Sequence, residues 1–293
     1  MDKTVSSGPV VVALDGSDES KAAVGWAADA ARRRGLPLWL VHAMDFGHAD
    51  LAVREFPEMA LAIRRGAEEM LDDEMAEAGT SVGDIEIRTV LEDGDPSTVL
   101  LRQAAHAILV VLGSRGRGGF AGMVLGSTSL KVAMHAPCPV VVLRSAAADA
   151  SAGPSAGRIV VGSDGSPHSA RAVGLAFEEA DLRGVGVTAV RTWLAPDIDV
   201  DATPAHEWEQ AEKDEKARLT EDLLSWRTRF PKVDVVEKTV RGAPAATLID
   251  ESEGAEMLVV GSHGRGGFGG LVLGSVSHAA LHHAHCPVAV ARS

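Results

Sequence analysis

A fifteen-residue glycine-rich segment occurs twice in this sequence, at 113–127 and at 261–275, with twelve of the fifteen positions identical. Agreement of that length marks an internal repeat, and an internal repeat implies two like-folded parts. Each copy follows a short aliphatic run, Ile108 to Leu112 or Met257 to Val260, that reads as a buried strand. Each copy precedes a segment able to form a helix, Ser127 to His135 or Ser275 to His283. A strand, a glycine loop and a helix start form the setting in which backbone N–H groups and a helix dipole hold a phosphate.

The rest of the chain repeats in step. Val10 to Leu14 predicts a short strand leading to Asp15, Gly16 and Ser17, and Ile159 to Gly162 predicts its counterpart, leading to Asp164, Gly165 and Ser166. Asp164 follows Asp15 by 149 residues and Gly261 follows Gly113 by 148, so the copies differ by one residue of net length. In the first copy a helix is expected from Ser17 or Asp18 to about Arg34, with Gly35 past its end. A strand over Leu38 to Ala43, a long helix over roughly Glu55 to Ala78 and a strand over Ile85 to Leu91 follow, and Pro96 opens another helix. The second copy runs through a helix over Pro167 to Leu182, a strand over Val185 to Trp193, a helix over about His206 to Phe230 and a strand over Val233 to Val240. Val140 to Leu143 and Pro287 to Val290 close the two copies as strands.

Strands alternating with helices imply an α/β chain: two tandem open parallel sheets of about five strands, with helices on both faces. In such sheets ligands bind beyond the carboxyl ends of the strands, where the strand order reverses. Asp15 and Gly113 both fall at strand C-termini, as do Asp164 and Gly261, so one crevice per domain is expected. The stretch 145–157 holds no large apolar residue and reads as a linker. The expected division is a first domain over 1–145, a linker over 146–157 and a second domain over 158–293.

Composition excludes several function classes. No apolar run approaches the ~20 residues that span a bilayer, and the polar start is not that of a signal peptide. A formal net charge of −13 argues against nucleic acid or an anionic membrane as the main partner. The two cysteines, Cys138 and Cys286, sit at equivalent places in the repeats, each before a proline. They read as buried thiols in a reducing cytoplasm.

The glycine spacing carries the chemistry. Gly113, Gly116, Gly126 and Ser127 recur as Gly261, Gly264, Gly274 and Ser275. Glycines allow positive φ and close approach of backbone to ligand, the serines add a hydroxyl at the helix start, and Arg117 and Arg265 supply positive charge. The run from Gly264 to Gly269 fits a dinucleotide-binding glycine pattern, but it follows the fourth strand of its repeat, and the first copy has Ala121 at the last position. Neither copy has the lysine of a P-loop before its serine.

On these residues the whole chain resembles the universal stress protein family, as a tandem of two domains of its ATP-binding subclass. The resemblance implies a parallel sheet of order 3-2-1-4-5 in each domain and an adenine nucleotide in each crevice, ATP with Mg²⁺, two per chain. It places Asp15 and Asp164, beside Ala13 and Gly162, at the nucleoside end, and gives the backbone of Val41 and Val190 to adenine. Ribose and phosphates fall to Gly113, Ser114, Arg115, Gly116, Arg117, Gly118 and Gly119, with Gly126, Ser127 and Thr128 at the helix start. The second site takes Gly261, Ser262, His263, Gly264, Arg265, Gly266 and Gly267, with Gly274, Ser275 and Val276. It further suggests pairing through the last strands, between the halves or between chains as a homodimer. The function implied is stress regulation through nucleotide occupancy, with a regulatory partner the sequence does not identify. A slow ATPase and a sensor of AMP or cyclic AMP are the alternatives.

Other features weigh less. His278 and His282 have a metal-ligand spacing, but their repeat equivalents are Leu130 and Met134, and no carboxylate completes a set. No Ser-His-Asp or Cys-His arrangement makes Asp15 or Asp164 a catalytic base. The run from Glu207 to Lys216 reads as a solvated helix face, and Trp193, Trp208 and Trp226 as packing. Arg115 stays cationic whereas a histidine, as at 263, ordinarily titrates near pH ~6.5. If this side chain faces the phosphates, acidification strengthens nucleotide binding at the second site alone.

Overall fold

The computed structural model describes residues 8–45, 57–116, 124–144, 153–193, 205–264 and 273–292. Arg117, Gly118 and Gly119 of the first loop, and Arg265, Gly266 and Gly267 of the second, lie outside the described residues. The chain divides into two compact units, Met1–Ser145 and Ala146–Ser293.

In the first unit the strands are β1 (Val10–Ala13), β2 (Leu38–Met44), β3 (Ile87–Asp93), β4 (Leu109–Gly113) and β5 (Val140–Leu143). The helices are α1 (Asp18–Arg34), α2 (Pro57–Val82), α3 (Pro96–Ala104) and α4 (Ser127–His135). All pairings are parallel, in the order β3-β2-β1-β4-β5. The second unit has β6 (Ile159–Gly162), β7 (Val187–Trp193), β8 (Val235–Arg241), β9 (Met257–Gly261) and β10 (Val288–Ala291). Its helices are α5 (Pro167–Arg183), α6 (Ala205–Arg229), α7 (Pro244–Glu251) and α8 (Ser275–His283). It repeats the order as β8-β7-β6-β9-β10, all parallel. In both units the order reverses beside the first strand, between β1 and β4 and between β6 and β9.

The central strands are aliphatic because both faces are covered. Val10, Val11, Val12, Val110 and Val111 are fully buried, as are Ile159, Val160 and Val161. On one face of the first unit α1 packs against β1 and β4 and touches α2; α3 and α4 pack together over β2 and β5. Alanines at 23, 27, 28, 30 and 31 are buried and let α1 approach the sheet closely. Ser17 caps that helix through its hydroxyl, and Gly35 ends it at φ 63°. Ser166 and Gly184 do the same for α5. The outermost strands start two residues later than the hydrophobic pattern suggests, at Ile87 and Val235. Their inner neighbours set this limit, because β2 begins at Leu38 opposite Ile87 and β7 begins at Val187 opposite Val235.

Trp226 packs with Phe177 and Phe230 at ring separations of 6.5 and 6.4 Å, under the helices of the second unit. Both cysteines are buried, and neither is in a disulfide. No helix among the described residues is long and apolar enough to cross a membrane. The end of the low-complexity stretch is laid against the second unit. Ser155 is 1% exposed and donates to Glu251 at 2.5 Å, and Lys238 binds both Glu251 and the Pro154 carbonyl. Gly153, at φ 135°, lies so close to the Glu253 carbonyl that a Cβ would come within 2.0 Å of it. Composition alone marks these small residues as a tether; here smallness lets them pack.

One cap distinguishes the units. Asp95 caps α3, accepting from Ser97 Oγ at 2.5 Å, Thr98 Oγ1 at 2.7 Å and Thr98 N at 2.9 Å. Its counterpart Ala243 gives α7 no side-chain cap. The Ser97 and Thr98 hydrogen bonds outweigh a small burial penalty and, with Lys131 beyond them, hold the Asp95 carboxyl down at about 2. A carboxyl lowered in the fold stabilises above its unfolded value, near 3.8, and loses that contribution as pH falls toward about 2. Asp95→Ala is therefore expected to cost ~1 kcal/mol near neutral pH. In thermal unfolding the gap between variant and wild type should narrow as pH is lowered from about 5 to about 2.5.

Candidate functional site

Each crevice is assembled where its two reversal strands end. In the first unit the chain leaves β1 through Leu14 into Asp15, then turns at Gly16, whose φ of 79° suits glycine. Asp15 Oδ1 accepts from Ser17 N at 3.0 Å and Ser17 Oγ at 2.6 Å, so the serine that caps α1 also orients the carboxylate. The other carboxylate oxygen faces the glycine loop: a Cβ on Gly116 would lie 2.3 Å from Asp15 Oδ2. The second unit repeats this contact. Asp164 Oδ1 accepts from Ser166 N at 2.9 Å, Gly165 turns at φ 77°, and a Cβ on Gly264 would lie 2.7 Å from Asp164 Oδ2.

The loop glycines earn their places by proximity. None of Gly113, Gly116, Gly126, Gly261, Gly264 and Gly274 has a positive φ, which corrects the reading of these positions as conformationally special. A Cβ on Gly113 would meet the Glu19 backbone at 3.0 Å, and one on Gly261 the His168 carbonyl at 2.9 Å. These two glycines let the first helix of each unit press against the fourth strand, so Gly113→Ala would disturb packing as well as a ligand. Gly126 and Gly274 donate backbone N–H to the carbonyls of Ser114 and Ser262, each at 2.7 Å, which closes the loop onto the helix start. Both glycines are N-caps without a side-chain hydrogen bond, so the cap residue itself leaves the first backbone N–H groups of α4 and α8 without a side-chain acceptor. Ser127 and Thr128, and Ser275 and Val276, form the first turns there.

In the second unit these elements surround a cavity of ≈ 650 Å³. From β6 and its turn it is lined by Gly162, Ser163 and Asp164; from β9 and its loop by Gly261, His263 and Gly264; from α8 by Gly274, Ser275 and Val276. Val190 lines it from β7. Of the site residues expected from sequence and described here, only Ser262 is not on this wall; it is 2% exposed, with its hydroxyl near the rings of both His168 and His263. In the first unit Ala13, Asp15, Gly113, Ser114, Arg115, Gly116, Gly126, Ser127 and Thr128 occupy the equivalent positions. The strand registers equate Ala13 with Gly162, since each lies opposite the second-strand valine, Val41 or Val190. Those valines use their carbonyls within the sheet: Val41 accepts from Leu14 N and Val190 from Ser163 N, both at 2.9 Å.

Several wall residues were not expected. Ser169 and Ser277 line the cavity, and Ser277 Oγ ties α8 to the Gly261 carbonyl at 2.5 Å, as Ser129 ties α4 to Gly113 at 2.7 Å. Their spacing repeats between the copies and could have marked them. Arg191, Thr192 and Trp193 line it from β7, Glu215 from α6, and Pro244 and Leu248 from α7. Arg191 is 2% exposed and held by Glu215 at 2.5 Å and Asp222 at 2.9 Å; Asp222 also accepts from Ser163. Burial pushes the Glu215 carboxyl up, but hydrogen bonds and charge from Arg191 and Arg218 outweigh it and hold it below the ordinary carboxylate value. His42 stands at the Arg191 position in the first unit, its Nδ1 2.6 Å from the Leu14 carbonyl.

The loops also differ by a paired exchange. Arg115 is bound to Glu19 of α1 at 2.6 Å, so a carboxylate offsets its charge. In the second unit both partners are histidine: His263 and His168 lie with ring centroids 5.3 Å apart. Only half of this exchange was visible as an isolated Arg-to-His difference, since Glu19 and His168 stand outside the glycine motif. Any charge that Arg115 offers to a phosphate is shared with Glu19. Burial pushes the His168 imidazole below its ordinary value, His263, Arg171 and Arg292 add to this, and Asp164 opposes it.

Among the described residues no group of three or more His, Cys, Asp and Glu side chains is placed to hold a metal ion. His278 and His282 stack on one helix face at 4.5 Å.

A histidine lowered in the fold stabilises above its unfolded value of ~6.5 and loses that contribution as pH falls, because the unfolded chain takes up the proton first. The unfolding temperature of the second unit should fall between about pH 7 and about pH 5.5. His168→Gln should flatten that dependence, as read by calorimetry or by hydrogen exchange resolved to each unit.

Comparison with known proteins agrees with this architecture. The universal stress protein family model matches twice, over residues 7–144 and 156–292. Two universal stress proteins of Mycobacterium tuberculosis are 37% identical over 287 residues and 33% identical over 291 residues. The first match covers 97% of this chain and 96% of the relative, the second 98% and 97%. Among solved structures, a universal stress protein from Archaeoglobus fulgidus superposes with a TM-score of 0.65 at 19% identity, covering 98% of this chain and 96% of its own. That likeness speaks for the fold. With a family match in each unit and relatives aligned end to end, the chain belongs to the universal stress protein family, as a tandem of two such domains.

Proposed function

We propose that the chain is a nucleotide-occupied regulator that binds ATP with Mg²⁺ in each of its two crevices. The observation that carries this reading is the contact of an oriented carboxylate with a loop glycine, made twice, beside a helix whose N-cap is itself a glycine with no side-chain hydrogen bond. A glycine-capped helix start offers backbone N–H groups and a positive dipole end to phosphate. A cavity of ≈ 650 Å³ is in the range that accepts a nucleotide-sized ligand. Asp15 and Asp164 would set the nucleoside end, Gly116, Gly126 and Ser127 the first phosphate cradle, and Gly264, Gly274 and Ser275 the second. Mg²⁺ would supply charge neutralisation to the bound polyphosphate. In the described crevice of the second unit the guanidinium of Arg191 is engaged by Glu215 and Asp222, which favours a binding role over phosphoryl transfer. Occupancy would then regulate a protein partner, in a reducing cytoplasm suited to two buried cysteines outside any disulfide.

Quantifying nucleotide released from denatured, ATP-equilibrated protein tests this. Two molecules per chain are expected, falling to one in Gly264→Ala, where the added Cβ would meet Asp164 at 2.7 Å. The double variant Gly116→Ala, Gly264→Ala should retain none. A wild-type value near zero refutes the reading, and a value near one refutes the equivalence of the two crevices.

A further inference from the structure

The second crevice has a wall the first does not. At the end of β7, Trp193 lines the cavity. Behind it stands Trp208 of α6, ring centroids 5.9 Å apart, and the Arg241 guanidinium lies 4.8 Å from the Trp208 ring centroid. The result is a cluster of one cation and two indoles, the indole planes inclined at 41°, that ends at the cavity. In the first unit the position of Trp193 is held by Met44, which is 4% exposed.

This cluster lies at the end of the cavity opposite the phosphate cradle. Phosphate-binding groups gather on β9 and α8, whereas Thr192, Trp193, Pro244 and Leu248 come from β7 and α7. One strand, β6, separates β9 from β7. At the usual strand spacing that is about 10 Å across the sheet, a span a ribose can bridge between phosphate and base. The indole N–H of Trp193 is buried and has no acceptor among the described residues. A methionine, as in the first unit, would fill this place without a stranded donor. What tryptophan adds here is its ring, and an aromatic ring on a ligand wall is a platform for a planar base.

We propose that Trp193 is the base platform of the second site, and that it makes this site select purine over pyrimidine nucleotides more strongly than the first. The inference rests on the nucleotide reading of the crevices. Larger purine rings overlap an indole more fully than pyrimidines, while Met44 offers the first site no such face. The packing role assigned to this tryptophan from sequence is then only part of its work: the ring closes the core on its Trp208 side and receives the base on the other.

The test is calorimetric titration of the full chain with ATP, CTP and inorganic tripolyphosphate, in a background where Gly116→Ala silences the first site. Trp193→Met is expected to weaken ATP binding ~10-fold, to remove most of the preference for ATP over CTP, and to leave tripolyphosphate affinity unchanged. Trp193→Phe, which keeps a smaller ring and removes the stranded N–H, should fall between wild type and Trp193→Met. It carries the test if the methionine variant fails to fold. Unchanged ATP affinity and unchanged purine preference overturn the inference while leaving the nucleotide reading intact. A parallel loss of ATP and tripolyphosphate also overturns it, by showing a structural role. If the parent binds neither ATP nor tripolyphosphate, the nucleotide reading fails and the inference falls with it.

Discussion

Everything in either crevice depends on one close contact, between the carboxylate after the first strand and the second glycine of the loop after the fourth. Asp15 and Asp164 stand where a Cβ on Gly116 or Gly264 would have to go. The contact joins two chain segments about a hundred residues apart in sequence, and both arrive because β1 lies beside β4 and β6 beside β9. Strand order thus becomes site geometry: the reversal point leaves a gap, the serine cap of α1 or α5 aims the carboxylate, and glycine lets the loop close over it. Substitution of either partner would reach beyond the pair, because the loop that closes here is continuous with the N-terminus of α4 or α8.

Duplication kept this contact and changed its surroundings. The Glu19–Arg115 ion pair of the first unit becomes the His168–His263 pair of the second, so one crevice mouth keeps a compensated ion pair and the other carries two adjacent imidazole rings. His42 gives way to Arg191, and a buried cation then requires the carboxylates of Glu215 and Asp222 beside it. Met44 gives way to Trp193. Each exchange keeps the strand and helix framework and changes the side chains at the crevice, so the two halves are one fold with chemically distinct crevice linings.

Most of the fold was legible because it rests on local pattern: aliphatic runs for the buried strands, Ser17 and Ser166 before the helices, Gly35 and Gly184 after them. Strand ends shifted by two residues at Ile87 and Val235 because the neighbouring strand decides where a ladder starts. The residues around the glycine motifs were legible from their repetition, and the cavity of the second unit brings most of the described ones together. Less legible was why glycine stands there. Spacing suggested positive φ and close approach to a ligand; φ is not positive at these positions, and Gly113 and Gly261 make room for a helix and Gly116 and Gly264 for a carboxylate. Partners from outside the motif, such as Glu19, His168, Glu215 and Trp193, could not be read from it. Tertiary packing brings them in: Glu19, His168 and Glu215 from helices, and Trp193 from the end of β7.

The central claim is that each glycine-capped helix start is a phosphate cradle, and backbone amide NMR on the intact chain reads those cradles directly. On addition of ATP with Mg²⁺, the account predicts that the amides of Ser127 and Thr128 and those of Ser275 and Val276 shift together with Gly116 and Gly264. Amides on the opposite, N-terminal ends of the strands, such as Val10 and Ile159, should stay in place. Movement of neither helix start at saturating nucleotide, or shifts confined to surfaces away from both loops, would contradict it.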